Sequence, residues 1–264
     1  MLEALLTNAA LLLAAATVFW LLSVAIDKVS FVDAIWGGAM AALAVASFVQ
    51  LDRPGALAIL ILAMTVLWGA RLFVHLLRRF LRHGEDKRYE KLLGDAREEG
   101  RWWLAVGVRV WLLQSVLLFL VSSPAQVGIL ASEAPAPIAA LAWAGFALWL
   151  VGVFFEWVGD WQLARFKADP SNEGAILDSG LWRYTRHPNY FGDACVWWGI
   201  WLACASAGWQ FALWTVAGPI FLTFTLVKWS GAAMTEKGMR EKHGEEYADY
   251  VAHTSAFIPW PPKS

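Results

Sequence analysis

The sequence predicts an all-α polytopic membrane protein with seven transmembrane helices, its N-terminus outside and its C-terminus in the cytoplasm. Three observations carry that prediction. Hydrophobic residues make up 59% of the 264-residue chain against 16% charged, a balance that few water-soluble domains carry. Seven apolar runs reach bilayer-spanning length, at 9–26, 31–49, 55–77, 102–122, 138–158, 190–207 and 211–229. Lysine and arginine gather in alternate connections between them. Eight lie in 78–101, four in 165–186, and Lys237, Arg240, Lys242 and Lys263 follow the last run, whereas Arg53 stands alone in the opposite loops. The positive-inside rule then sets the orientation.

Taken in order, the first run is expected to stay as a helix, because residues 1–8 hold a single charge, Glu3, and no basic n-region. The second and third are joined by the short LDRP turn. The fourth is followed by the outside loop SPAQVGILASEAPAPIA, of which SEAPAPIA is expected to be extended on account of its prolines. The fifth, sixth and seventh follow with basic connections on the cytoplasmic side. One domain is expected over 1–264, with loops 78–101 and 159–189 and the tail 234–264 forming its cytoplasmic face. Cys195 and Cys204 point to opposite sides of one predicted helix and cannot bridge each other. No Cys/His spacing suits a metal, and a net charge of −1 gives no reason to expect nucleic acid.

Ionisable residues inside predicted spans are costly and count as functional candidates. They are Asp33, Arg71, His75, Arg109, Glu156, Asp193 and Lys228, with Asp160 just beyond the fifth span. Their spacing groups them. Trp68, Arg71 and His75 form one stripe on the third helix, Glu156 and Asp160 another on the fifth, and Asn189, Asp193 and Trp197 a third on the sixth. Three polar stripes near the cytoplasmic ends predict a water-accessible pocket. Lys228, Arg78 and Arg79 are read as snorkelling side chains, and most of the eighteen tryptophans as belt and packing residues.

The stretch GLWRYTRHPNYFGD, residues 180–193, sits against the sixth run. Pro188 suits the first turn of a helix, which places His187 at the cap. Free backbone donors and the positive helix end, beside Arg183 and Arg186, make a predicted anion site. Asn189 and Asp193 add groups that hold ribose hydroxyls and amides, which favours a nucleotide over inorganic phosphate. The bland alternative is a positively charged anchor with a helix cap.

FEWVGDWQLARFKADPSNEG, SGLWRYTRHPNYFGD and WWG, with RHGEDKRY, WLLQSVLLFLVSSP and EEYADYVAHTSAFIP, resemble the bacterial, largely uncharacterised branch of the steroid 5α-reductase family. The matches run from the second span to the C-terminus. The resemblance implies an NADPH-dependent enzyme of the bacterial inner membrane that moves hydride to the β-carbon of a lipophilic α,β-unsaturated ketone, typically a 3-oxo-Δ4 steroid. By position it assigns Asn189 and Asp193 to the nicotinamide half, Trp197 to a cofactor-facing tryptophan, and Arg71 to an arginine of the third helix. Asp160, Lys167 and the GEDKRY block (Asp86, Arg88, Tyr89) fall on the adenosine-phosphate side. Two positions depart from the family: its catalytic tyrosine falls on Trp68 here, and its Gln-Glu pair on Asp33-Ala34. An indole N–H donates a hydrogen bond but is no useful proton source. A buried, protonated Asp33, or His75 through water, is the expected acid. A helix-terminal charge is the structural alternative for Asp33.

An Arg-His-Pro-x-Tyr core also occurs in membrane methyltransferases that use S-adenosylmethionine, which is the second enzymatic reading; a lipid-binding scaffold is the third. The extra polar blocks suit a cofactor with a 2′-phosphate and favour the reductase. A lipophilic small molecule and membrane lipid are the expected partners, with no obligate protein partner.

Overall fold

The computed structural model describes residues 1–264 except Pro135, Ser230 and Ser264. Among the described residues the regular structure is entirely helical: α1 (Leu2–Ile26), α2 (Val32–Val49), α3 (Ala56–His83), α4 (Lys87–Glu98), α5 (Trp102–Val121), α6 (Ser123–Leu130), α7 (Ala140–Ala168), α8 (Pro188–Ala205), α9 (Trp209–Thr215), α10 (Ala217–Phe224) and α11 (Ala232–His253). Val106–Leu112 within α5 is wound as a π-helix, and a second π segment, Thr225–Trp229, follows α10. Among the described residues, six helical stretches are long and apolar enough to cross a membrane: α1, α2, α3, α5, α7 and the run Trp209–His253. The expected sixth span corresponds to α8, which is not among them. Asn189, Asp193 and two glycines dilute its apolar character.

The helices form where the sequence leaves the backbone no better partner. In α1 only Asn8, Leu12, Ala16 and Ser23 are buried, a single stripe with spacings of four, four and seven. Leucines at 6, 11, 13, 21 and 22 cover the other sides, as in a helix that faces lipid. Asp27 ends α1 in the left-handed conformation (φ 54°). Gly84 (φ 74°) ends α3, and the Asp86 carboxylate then caps α4 by accepting from the Arg88 backbone N–H at 2.9 Å.

Contacts divide the chain into two compact units, residues 1–142 with 203–218 and residues 143–202 with 219–264. In the first, α2 and α3 cross at Gly37 and Gly69, where a Cβ on Gly37 would lie 2.6 Å from the Gly69 carbonyl oxygen. Near one end, the buried Asn8 amide donates to Ser47 and Gln126 at 2.8 and 2.9 Å and accepts from Gln50, while Gln126 donates to Ser122. This network corrects the fourth loop. SPAQVGIL, expected within that loop, is helix α6, with Pro124 to Ile129 buried, because Pro124 starts a turn and Gln126 has amide partners that would be lost outside. At the other end Phe31 packs against Phe19, Phe80 and Trp111, with Tyr89, Leu93 and Ala96 of α4 in the same core.

The second unit is built on a close pairing of α7 and α8. Gly145 meets Gly199, Gly152 meets Gly192, and Gly159 meets Pro188; a Cβ on Gly192 would lie 2.5 Å from the backbone of both Gly152 and Glu156. The seven-residue spacing along α7 keeps small residues at each crossing, as in left-handed helix pairs. The C-terminal segment is strapped onto the RHP loop. Arg186 N–H donates to the Ser255 carbonyl, the Trp260 N–H to the Tyr184 carbonyl, and the Thr185 hydroxyl to the Phe257 carbonyl.

Candidate active site

In the first unit the polar candidates meet at the start of α2. Glu85 accepts from the backbone N–H groups of Val29 and Ser30 at 3.1 and 3.2 Å, and Asp86 N–H donates to the Ser30 hydroxyl. This pins the GEDKRY loop to the helix entrance. One oxygen of Asp33 accepts from the Tyr89 hydroxyl at 2.6 Å and the other from Arg88 at 2.9 Å, while Arg88 also binds both oxygens of Asp86. Burial, with Asp33 alongside, pushes the Tyr89 hydroxyl well above its usual range. The Arg88 bond holds Asp86 below its own. The expectation of a buried Asp33 is revised: it is partly exposed, and its two oxygens meet the Tyr89 hydroxyl and Arg88. Arg88 is likewise matched to two carboxylates rather than left open for a phosphate. Trp68 is fully buried on α3, and Arg71 and His75 are half-buried one and two turns further on.

The first unit also holds a cavity of about 220 Å³ lined by α1, α2, α5 and Phe73 of α3. Its walls are apolar except for Gln114 and Ser115.

In the second unit the α7–α8 pairing brings two of the stripe residues together: the Asn189 amide donates to Asp160 at 3.1 Å. Glu156 and Trp197 are buried, Asp193 is half-buried, and Lys167 and Arg183 are exposed. α8 begins at Pro188, and the His187 carbonyl accepts from Phe191 as the first helical bond.

The cations expected to form an anion site at this helix start are engaged by the protein itself. Arg186 donates to Glu236 of α11 at 2.9 and 2.8 Å, its remaining nitrogen reaches the Thr254 carbonyl at 2.6 Å, and His187 Nε2 lies 3.2 Å from the same carboxylate. The His187 contact and the Arg186 guanidinium hold the Glu236 carboxyl at about 2. The N–H of Tyr190 is taken by the Asn189 side chain. Arg186 and His187 thus anchor the C-terminal helix, while Arg183 and Lys167 have exposed side chains. Sequence reasoning missed Glu236, which looks like one acid among many in TEKGMREKHGEE, and Gln114, an uncharged residue in an apolar run. For Gln114 the signal was available, since an amide inside a span needs a partner.

Apolar helices of bilayer-spanning length that carry polar groups at their starts define a polytopic helical membrane protein. The chain belongs to the family described as "Protein of unknown function (DUF1295)", which matches residues 19–254. It is similar to proteins named 3-oxo-5-alpha-steroid 4-dehydrogenase 1: that of Rattus norvegicus (30% identical over 116 residues, 44% of this chain and 40% of the relative), Mus musculus (31% over 119 residues, 44% and 41%) and Homo sapiens (29% over 116 residues, 44% and 40%). The matched region spans about two fifths of the length of those relatives. These similarities support the steroid 5α-reductase-like resemblance carried by the sequence motifs. No solved structure matches the chain.

Proposed function

We propose that this protein is an NADPH-dependent reductase of the carbon–carbon double bond in a lipophilic α,β-unsaturated ketone, with a 3-oxo-Δ4 steroid as the substrate class. The observation that carries the reading is the Asp160–Asn189 pair on the glycine-packed faces of α7 and α8, formed at two positions the resemblance assigns to the cofactor. The relatives' name supports the substrate class, and the apolar cavity supports a lipophilic ligand.

The donor set of the second unit fits such a cofactor, with the roles redistributed. Asn189, Asp193 and Trp197 would hold the nicotinamide half. Asp160 takes the ribose side, and Lys167 and Arg183 the 2′-phosphate, because Arg186 and His187 are engaged by Glu236. When bound, NADPH supplies a hydride for the β-carbon; the remaining proton goes to the α-carbon, so that enone, NADPH and H⁺ give saturated ketone and NADP⁺. The protein's part is to orient the enone, exclude water and steady the negative charge that grows on the ketone oxygen, where one well-placed donor is worth about 3 kcal/mol. Since both oxygens of Asp33 are engaged, the proton source passes to His75 acting through water, with Trp68 as a wall of the site. Asp33 with Tyr89 and Arg88 fixes the start of α2. Seven spans, with the nucleotide face in the cytoplasm of a bacterial inner membrane, complete the reading.

The test uses detergent-purified protein, progesterone and NADPH carrying deuterium at the transferable position. Mass spectrometry should find one deuterium at the β-carbon of the product, and NADH should serve far less well. Bound S-adenosylmethionine with no deuterium transfer would replace this reading with a methyltransferase.

A further inference from the structure

Among the charges carried by the apolar helices, Arg109 takes no part in either polar cluster. It is the eighth of the 20 residues of α5, about 10 Å along the axis from Trp102, yet its side chain is exposed. The exposed residues around it on α5, Leu104, Val108, Leu112, Leu113 and Val116, are all apolar. This is therefore the face that a bilayer-length helix turns to lipid. No carboxylate, carbonyl or aromatic ring among the described residues partners its guanidinium. An arginine inside a span usually turns to the bundle interior or pairs there; Arg109 does neither.

The winding of α5 turns it outward. In a regular helix the residues one turn before Arg109 are Ala105 and Val106, and both are buried. Regular winding would aim the guanidinium into the apolar core around Phe31 and Trp111. Val106–Leu112 is wound instead as a π-helix, whose bonds span five residues. The wider turn moves Arg109 off the buried face and gives its place to Val110, which is 1% exposed. α1 closes on the same segment: a Cβ on Gly107 would lie 2.8 Å from the Trp20 indole, and Trp20 stacks on Trp103 and donates to its carbonyl at 2.8 Å. Side chains on a helix lean towards its N-terminus, so Arg109 leans to the Trp102 end, where the indoles of Trp102 and Trp103 mark headgroup depth.

We propose that Arg109 is a binding site for the phosphate of a membrane phospholipid, on the lipid-facing side of α5. A 20-residue helix is about 30 Å long, the thickness of the hydrocarbon core, so the Arg109 backbone lies within that core. The long side chain reaches the phosphate level by running along the apolar face, and its planar fork matches two phosphate oxygens. An anionic headgroup is favoured over a zwitterionic one, because no ammonium group competes for the phosphate. The site stands independently of the reductase reading.

Native mass spectrometry of the detergent-purified full chain, titrated with dioleoyl phosphatidylglycerol or with dioleoylglycerol, tests it; the second probe has the same chains and no phosphate. The unaltered protein should hold phosphatidylglycerol about tenfold more tightly, the scale of one charge-assisted pair. Arg109→Leu should abolish that preference and leave dioleoylglycerol binding as it was. Arg109→Gln, polar and uncharged, should do the same and carries the test if leucine alters the π winding. Arg53→Leu, which removes an exposed cation from the LDRP turn, should keep the preference. A preference that survives both Arg109 variants, or none in the unaltered protein, overturns the proposal. So does displacement of the lipid by glycerol phosphate at equal concentration, which would make this a site for a soluble anion. A dimer that Arg109→Leu dissociates would likewise overturn it, by giving the guanidinium to a second copy of the chain.

Discussion

The two units each hold an arginine, next to a helix start, that meets a carboxylate distant in sequence, and the two clusters differ in how much water reaches them. In the first unit Arg88 and its partners Asp33 and Asp86 have side chains 45%, 34% and 23% exposed. In the second, Arg186, Glu236 and His187 are 9%, 15% and 4% exposed. As residues in a sequence the two arginines carry the same signal, a basic group beside a span. Solvent separates them. A pair that water can replace contributes little net stability and can exchange partners, whereas a buried pair holds its helices together because neither charge has anywhere else to go.

The largest effect should come from leaving the buried arginine unmatched. Glu236→Ala is expected to destabilise the protein by about 3–5 kcal/mol, read as a fall in the thermal midpoint in detergent, with release of the C-terminal strap detectable by proteolysis near Ser255. Replacing both partners by apolar residues, Arg186→Met with Glu236→Leu, should recover a good part of that loss, since the unpaired charge is the main penalty. A single variant that melts like the unaltered protein would mean that the cluster is not the lock its burial suggests.

Acid should act through the same carboxylate. The folded Glu236 titrates at about 2, below its ordinary 4.5. Its contribution is therefore complete above about pH 4.5 and is lost as pH falls from there towards 2. Stability curves of the unaltered protein and Glu236→Gln should be farthest apart at neutral pH and converge at the acid end. A constant gap down to the lowest pH would contradict the pairing.

A smaller loss is expected from the α7–α8 contact. Gly192→Val places a side chain where the backbone of Gly152 and Glu156 already lies, an overpacking that costs about 1–3 kcal/mol. It should also pull Asn189 from Asp160, so NADPH affinity should fall more than a global loss of folded protein explains. Gly94→Val, at a glycine with open space around it, is the matched control.

Much of this fold was legible because periodicity and length report on the solvent a helix faces. The apolar runs matched α2 and α5 to within a residue and located α1, α3 and α7 without one of their ends, and Pro188 marked the start of α8. The stripes four residues apart singled out Asp160 and Asn189, but not the contact between them. What escaped was of two kinds. Glu236 lies 49 residues from His187, and no local pattern shows that the anion expected at that helix start is the chain's own. Asn8, Gln126 and Gln114 are uncharged, and a search for charges inside spans passes over amides, although an amide in an apolar helix needs a partner for the same physical reason. That oversight also turned α6 into a loop: with Gln126 recognised as a buried donor and acceptor, SPAQVGIL reads as a helix with an interior to face.

The smallest effect on stability should belong to the exposed cluster. Arg88→Met removes a cation from two carboxylates that water can reach, so the change should be no more than about 1 kcal/mol and should shrink further as salt rises. Its consequence for function should be larger than for folding. Tyr89 would remain hydrogen-bonded to Asp33, but the start of α2 would carry the uncompensated charges of Asp33 and Asp86. If that cluster only positions the helix, reduction of progesterone should fall modestly and Arg88→Lys should restore it. If Arg88 instead exchanges its carboxylates for a cofactor phosphate, Arg88→Met should raise the Kd for NADPH about tenfold, the loss of one charge-assisted pair, while leaving the Kd for NADH unchanged. Measuring both nucleotides on one variant therefore shows whether exposure makes this cluster a binding element or a weaker copy of the buried lock in the second unit.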